Sequence, residues 1–174
     1  HAYSRGLGDV YKRQKRNSGA RYIPDLYDRG VRNFVVTEED FEKIKNGELG
    51  KLSILNFLIV ANPLKALQKL AEIHREEFKI PIIGITGSNG KTIVKEWLHQ
   101  LLSPDRRIVR SPRSYNSQIG VPLSVWQLNE EAELGIFEAG ISEMGEMNAL
   151  KRMIKPTIGI LTNIGGAHQE NFFS

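Results

Sequence analysis

The heptapeptide Thr86-Gly87-Ser88-Asn89-Gly90-Lys91-Thr92 limits what this 174-residue chain can fold into more than any other feature. It closes the apolar run PIIGIT (81–86), which reads as a strand buried on both faces. It opens a stretch, 91–102, that reads as a helix. Strand, glycine loop and helix in that order turn successive backbone N–H groups toward one anion at the positive end of a helix. Lys91 then reaches the terminal phosphates, and the Thr92 hydroxyl is placed to ligate Mg²⁺. The spacing is the shorter GxxGK[ST] form, because Ile85 stands where the longer pattern has glycine. A tight strand–helix turn with an incidental lysine is the competing reading.

Strands and helices alternate on both sides of this loop. Pro24 and Gly30 bracket a short helix over 24–29, and VRNFVV (31–36) reads as a strand. Thr37, three residues before Asp40, is an N-cap for a helix over 38–45, and 52–60 reads as a second strand. Asn62-Pro63 supplies an N-cap and an N1 proline for a long helix, whose stripe is Leu64, Leu67, Leu70, Ala71, Ile73 and Phe78. After the loop, strands are expected at 107–110, 133–138 and 157–162, with helices at 91–102, 121–128 and 145–154. This alternation predicts an α/β fold, a doubly wound parallel sheet with helices on both faces. The expected domain boundary is at 79–81, between a smaller α/β unit and the loop-bearing one. The chain stops soon after the strand 157–162, so it is expected to be a piece of a larger protein.

Charge separates the body of the chain from its start. Lys and Arg number 24 against 20 Asp and Glu, a net +4. Arg5, Lys12, Arg13, Lys15 and Arg16 against Asp9 account for all of it, and the remaining 19 basic and 19 acidic residues cancel. A neutral body argues against nucleic acid as a partner. Residues 1–14 read as a leader outside the fold, similar to a translated adapter tail, with a true basic arm as the competing reading. No cysteine is present, which excludes disulfides and thiolate zinc sites and suits a reducing, cytoplasmic setting. HAYSRGLGDVYKRQ has no apolar core of a secretory signal, and the longest apolar stretch, 54–61, is too short to cross a bilayer.

Other candidates lie where strands end, since the active groups of open α/β sheets gather beyond the carboxyl ends of their strands. Glu138 ends the strand LGIFE and could hold Mg²⁺ opposite Thr92; a helix-capping or surface glutamate is the alternative. His168 and Asn163 follow the strand 157–162, and each is either a ligand or phosphate contact or an ordinary loop residue. The loop RSPRSYNSQIG (110–120) carries two arginines, Tyr115 and Asn116, a thin basic patch better suited to a small anion than to nucleic acid. His74, His99, Trp97 and Trp126 receive no role.

Four segments in order, TGSNGKT (86–92), NSQIGVP (116–122), FEAGISEMGEM (137–147) and TNIGGAHQENF (162–172), resemble the Mur ligase family, the ATP-dependent enzymes that build the peptide stem of peptidoglycan. The resemblance covers about 17–174. The segment after Glu138 is similar to the branch that joins D-Ala-D-Ala to UDP-N-acetylmuramoyl-tripeptide; another Mur-type or folylpolyglutamate-synthase-like ligase is the enzyme alternative, and a P-loop nucleotide-binding module without ligation the non-enzyme one. It implies a truncated ATP-binding domain over 80–174, preceded over 15–79 by part of a domain that binds the uridine nucleotide. It implies that Gly87, Ser88, Asn89, Gly90, Lys91, Thr92 and Ile93 bind ATP. Thr92 and Glu138 would hold a first Mg²⁺ and His168 would help hold a second, with Lys91, Glu138 and His168 as catalytic groups. Asn116 and Asn163 would lie near phosphates and substrate. Ile93 departs from the Ser or Thr common at its position, so only its backbone N–H could contribute. The family's carbamylated lysine and adenine-binding segments fall outside the 174 residues, so no ligation is expected from this chain alone. A fused alanine racemase is a further expectation for the longer protein.

Overall fold

The computed structural model describes residues 19–47, 54–140 and 146–165. The leader reading of 1–14 and His168 therefore lie outside the described residues. The chain forms two compact units, residues 1–66 and 67–174.

In the first unit a 3-10 turn, Gly19–Tyr22, leads into α1 (Ile23–Asp28), followed by β1 (Asn33–Val36), α2 (Glu38–Asn46) and β2 (Asn56–Ile59). The first strand begins two residues later than its apolar pattern suggests, because the Val31 amide is spent on Leu26 O in closing α1. Thr37 caps α2 as expected, its hydroxyl accepting from Asp40 N at 3.2 Å. β1 and β2 pair in parallel with Phe34 opposite Phe57. Ile23, Phe34, Val36 and Ile44 form the buried cluster beneath them.

α3 (Pro63–Glu76) starts where Asn62 Oδ1 accepts from Lys65 N at 3.1 Å. Its apolar stripe decides where the units divide. Ala71 is fully buried with Val121, Val125, Leu150 and Ile154 of the second unit, and the compact units divide within α3. Arg75 adds a polar anchor: its guanidinium donates to Ile154 O at 2.9 Å, to Lys155 O at 3.2 Å and to Phe78 O at 2.5 Å. These carbonyls include the end of a helix, which has no partners of its own. Arg75→Met is expected to cost about 2–3 kcal/mol by stripping donors from buried carbonyls. Urea unfolding of both proteins measures this; an unchanged midpoint would show that water replaces the guanidinium.

The second unit is built on β3 (Ile82–Thr86), β4 (Ile108–Arg110), β5 (Leu134–Glu138) and β6 (Ile158–Leu161), all parallel in the order β4-β5-β3-β6. The helices are α4 (Lys91–Leu102), α5 (Gly120–Val125) and α6 (Glu146–Ile154). α5 is shorter than the 121–128 pattern, because Gln127 and Leu128 bond three residues back, to Ser124 and Val125, as a tightening turn. Strand alternation sorts the core into two layers. Ile82 and Phe137 face α3, α5 and α6. Ile83, Ile85, Leu134 and Ile136 face α4 through Val94, Leu98 and Leu102. Glu138 stands two residues beyond Ile136, and the same alternation puts it on the α4 face. No helix among the described residues is long and apolar enough to cross a membrane.

Candidate nucleotide-binding site

The loop between β3 and α4 takes its shape from two glycines with positive φ, Gly87 at 132° and Gly90 at 81°. Gly90 is the left-handed residue that caps α4. Gly87 is held there by crowding as well: a Cβ would lie 2.2 Å from Thr162 Oγ1 and 2.9 Å from Asn163 O. Gly87→Ala is thus expected to lose about 2 kcal/mol of stability. Gly159→Ala, where a Cβ would meet nothing within 4 Å, is the matched control. Equal thermal midpoints for the two variants would mean that the loop relaxes without cost.

The end of β6 buttresses the loop. Ser88 N donates to Asn163 O at 3.0 Å and Asn89 N to Asn163 Oδ1 at 2.9 Å. Thr162 Oγ1 donates to Asn89 O at 2.5 Å, and Ser88 Oγ exchanges hydrogen bonds with the backbone of Gly165 at 2.9 and 3.1 Å. Asn163 is thereby joined to the loop, and two loop amides are already engaged. The first-turn amides at 91–93 have no carbonyl one turn earlier in the helix to bond, and they carry the positive end of α4. Lys91 lies across the loop, with Nζ 2.6 Å from Gly87 O and 3.3 Å from Ser88 O. The Ile93 side chain is exposed.

Thr92 and Glu138, 46 residues apart in sequence, meet here: the Thr92 hydroxyl donates to Glu138 Oε2 at 3.0 Å. Register explains the encounter, since Glu138 is paired with Ile85 on the neighbouring strand. Glu138 is fully buried, and its amide donates to Ser111 Oγ at 3.1 Å. Its second oxygen, Oε1, lies 2.9 Å from the ammonium of Lys95, within ion-pair distance but off the axis of a hydrogen bond. Two hard oxygen donors side by side, one of them a buried carboxylate, fit a Mg²⁺ ion. Among the described residues no group of three or more His, Cys, Asp or Glu converges.

Sequence reading missed Lys95. It is fully buried and also donates to Ser111 O at 2.8 Å and to Arg113 O. Its signal was faint but present: a lysine three residues before Leu98 and seven before Leu102, on the stripe that faces the sheet. Glu96 and Arg110 extend the charged network, Glu96 Oε1 at 3.2 Å from Lys95 and Oε2 at 3.0 Å from Arg110. Burial pushes the Glu96 carboxyl up, but the hydrogen bond from Lys95 and the charge of Arg110 outweigh it and hold the group below its ordinary value. Asn116 sits one loop away, its carbonyl accepting from Gly140 N at 2.7 Å just past Glu138.

A phosphate loop between a central parallel strand and its helix, faced by a carboxylate from the adjacent strand, defines a P-loop α/β domain. Residues 85–174 match the model of the Mur ligase middle domain, and the chain belongs to the Mur ligase family. It is 39% identical over 155 residues to the UDP-N-acetylmuramoyl-tripeptide–D-alanyl-D-alanine ligase of Borreliella burgdorferi, covering 88% of this chain and 33% of that protein. The ligase of the same name from Treponema pallidum is 44% identical over 112 residues, 64% of this chain and 24% of its own length. Among solved structures, MurF from Acinetobacter baumannii superposes with a TM-score of 0.77 at 25% identity, over 90% of this chain and 32% of that one. MurF ligase from Thermotoga maritima, in complex with ADP, gives 0.65 at 29%, over 80% and 37%. The chain spans between about a quarter and a third of the length of the curated relatives it matches.

Proposed function

We propose that this chain is the ATP-binding part of a cytoplasmic ligase that joins D-Ala-D-Ala to UDP-N-acetylmuramoyl-tripeptide. The observation that carries the reading is the 3.0 Å contact between Thr92, at the end of the phosphate loop, and the buried Glu138. Its substrate side rests on relatives named for that reaction and on the segment that follows Glu138.

In this reading the loop and Lys91 bind the β- and γ-phosphates, Lys91 leaving the loop carbonyls for the nucleotide. Thr92 and Glu138 hold Mg²⁺, and His168 helps to hold a second ion. Bound there, the ions supply charge neutralisation where the γ-phosphate meets the substrate carboxylate. That carboxylate attacks the γ-phosphorus of ATP, releasing ADP and giving an acyl phosphate, whose carbonyl the amine of D-Ala-D-Ala then attacks with release of phosphate. Asn163 orients the loop through two amides, and Asn116 lines the approach beside Gly140. The smaller unit, 15–79 in the sequence reading, serves the uridine nucleotide. A fused alanine racemase in the longer protein belongs to the same proposal and rests on resemblance alone.

The test is phosphate release by the full-length protein given ATP, Mg²⁺, UDP-N-acetylmuramoyl-tripeptide and candidate amines. Release that requires D-Ala-D-Ala is expected. Release with a different amine or a folate acceptor would move the protein to another ligase, and nucleotide binding with no amine-dependent release would make it a binding module.

A further inference from the structure

Lys95 is the charged side chain that faces Glu138 directly, and the reading above leaves it without a task. It is fully buried, as is the carboxylate it faces. Its ammonium is surrounded by Ser111 O at 2.8 Å, Arg113 O, Glu138 Oε1 at 2.9 Å and Glu96 Oε1 at 3.2 Å. Three N–H groups among four acceptors, on a stem packed between α4 and the sheet, leave the ammonium no other place to go. Arg113 contributes its carbonyl from a left-handed turn at φ 49°, so the same lysine ties the loop after β4 to Glu138.

We propose that Lys95 is a positioning residue that makes Glu138 a one-oxygen ligand and so sets which divalent cation accompanies the nucleotide. This rests on the nucleotide and metal reading above. Oε1 faces the buried ammonium as an ion pair at 2.9 Å without an aligned hydrogen bond, and Oε2, on the Thr92 side, is the oxygen that a cation shared with Thr92 would meet. Mg²⁺ requires a tight octahedral shell and takes carboxylates through single oxygens, whereas Ca²⁺ takes a larger shell in which bidentate carboxylates are common. Bidentate ligation by Glu138 would require breaking a fully buried ion pair, which is strongly unfavourable. Lys95 therefore excludes the geometry that Ca²⁺ favours and tolerates the one that Mg²⁺ needs.

The experiment is calorimetric titration of ADP into the full-length protein with saturating Mg²⁺ or Ca²⁺, for wild type, Lys95→Met and Lys95→Gln. Glutamine keeps N–H donors for the carbonyls of Ser111 and Arg113 and so guards against loss of the fold, which circular dichroism monitors. Wild type is expected to prefer Mg²⁺ by about tenfold or more, and both variants to narrow that preference to about threefold or less, chiefly by gaining affinity with Ca²⁺. Affinities falling in equal proportion with both cations would assign Lys95 a purely structural role and overturn the proposal. A wild-type chain whose ADP binding ignores Mg²⁺ would overturn the metal reading itself, and the role of Lys95 with it.

Discussion

Glu138→Ala is expected to abolish cation-dependent nucleotide binding and to cost about 3–5 kcal/mol of stability, because it strands the ammonium of Lys95 in the core. Lys95 would keep only the carbonyls of Ser111 and Arg113 and the half-exposed Glu96. For a chain of this size that loss lowers the thermal midpoint by about 6–20 °C. Glu138→Gln separates the two effects. The amide keeps the volume and can still accept from Thr92, so it should retain more of the fold while losing the anionic ligand. Thermal unfolding with and without ADP and Mg²⁺ measures both. A Glu138→Ala protein with wild-type stability and wild-type cation dependence would remove the residue from the site.

Lys91→Ala should show the opposite balance. Lys91 is partly exposed and bonds only carbonyls of its own loop, so its removal should cost less than about 1 kcal/mol. Nucleotide affinity should fall about 100-fold, the equivalent of about 2.7 kcal/mol, as expected when a charge-assisted contact to phosphate is lost. Titration of ADP beside urea unfolding reads the two quantities independently. Binding that survives within about threefold would mean that the helix N-terminus and the cation hold the phosphates without the lysine. The contrast between the two substitutions follows from burial: one charge is locked in the core with its counterion, the other stands at the surface waiting for one.

The glycine loop was legible because its chemistry is local. Positive φ at Gly90, the cap of α4 and the position of Lys91 follow from neighbours within a few residues. Glu138 was legible as a strand end, since the run LGIFE, buried along its whole length, stops at a carboxylate. Thr37 and Asn62 capped the helices they were expected to cap for the same local reason. Lys95 was only faintly legible, as a lysine on the stripe of Leu98 and Leu102, and nothing near it in sequence shows that Glu138 and the carbonyls of Ser111 and Arg113 will enclose it. The compact units divide at a different place from the punctuation of the sequence. Pro81 and the strand after it punctuate the sequence at 79–81, whereas packing assigns most of α3 to the later unit through Ala71 and Arg75.

By itself the sequence determined the alternation of strands and helices, the phosphate loop, and membership of a family recognisable from four short segments in order. These depend on period, capping and backbone freedom, which act over a turn or two. Only the tertiary structure decided the strand order β4-β5-β3-β6 and, through it, that Ile85 and Glu138 stand side by side. From that register come the meeting of Thr92 with Glu138, the enclosure of Lys95, and the seating of Asn163 beneath the loop. The physical reason is that hydrogen bonds between strands join residues whose separation in the chain carries no signature. A charge can be sealed in a core only when its partner arrives from elsewhere.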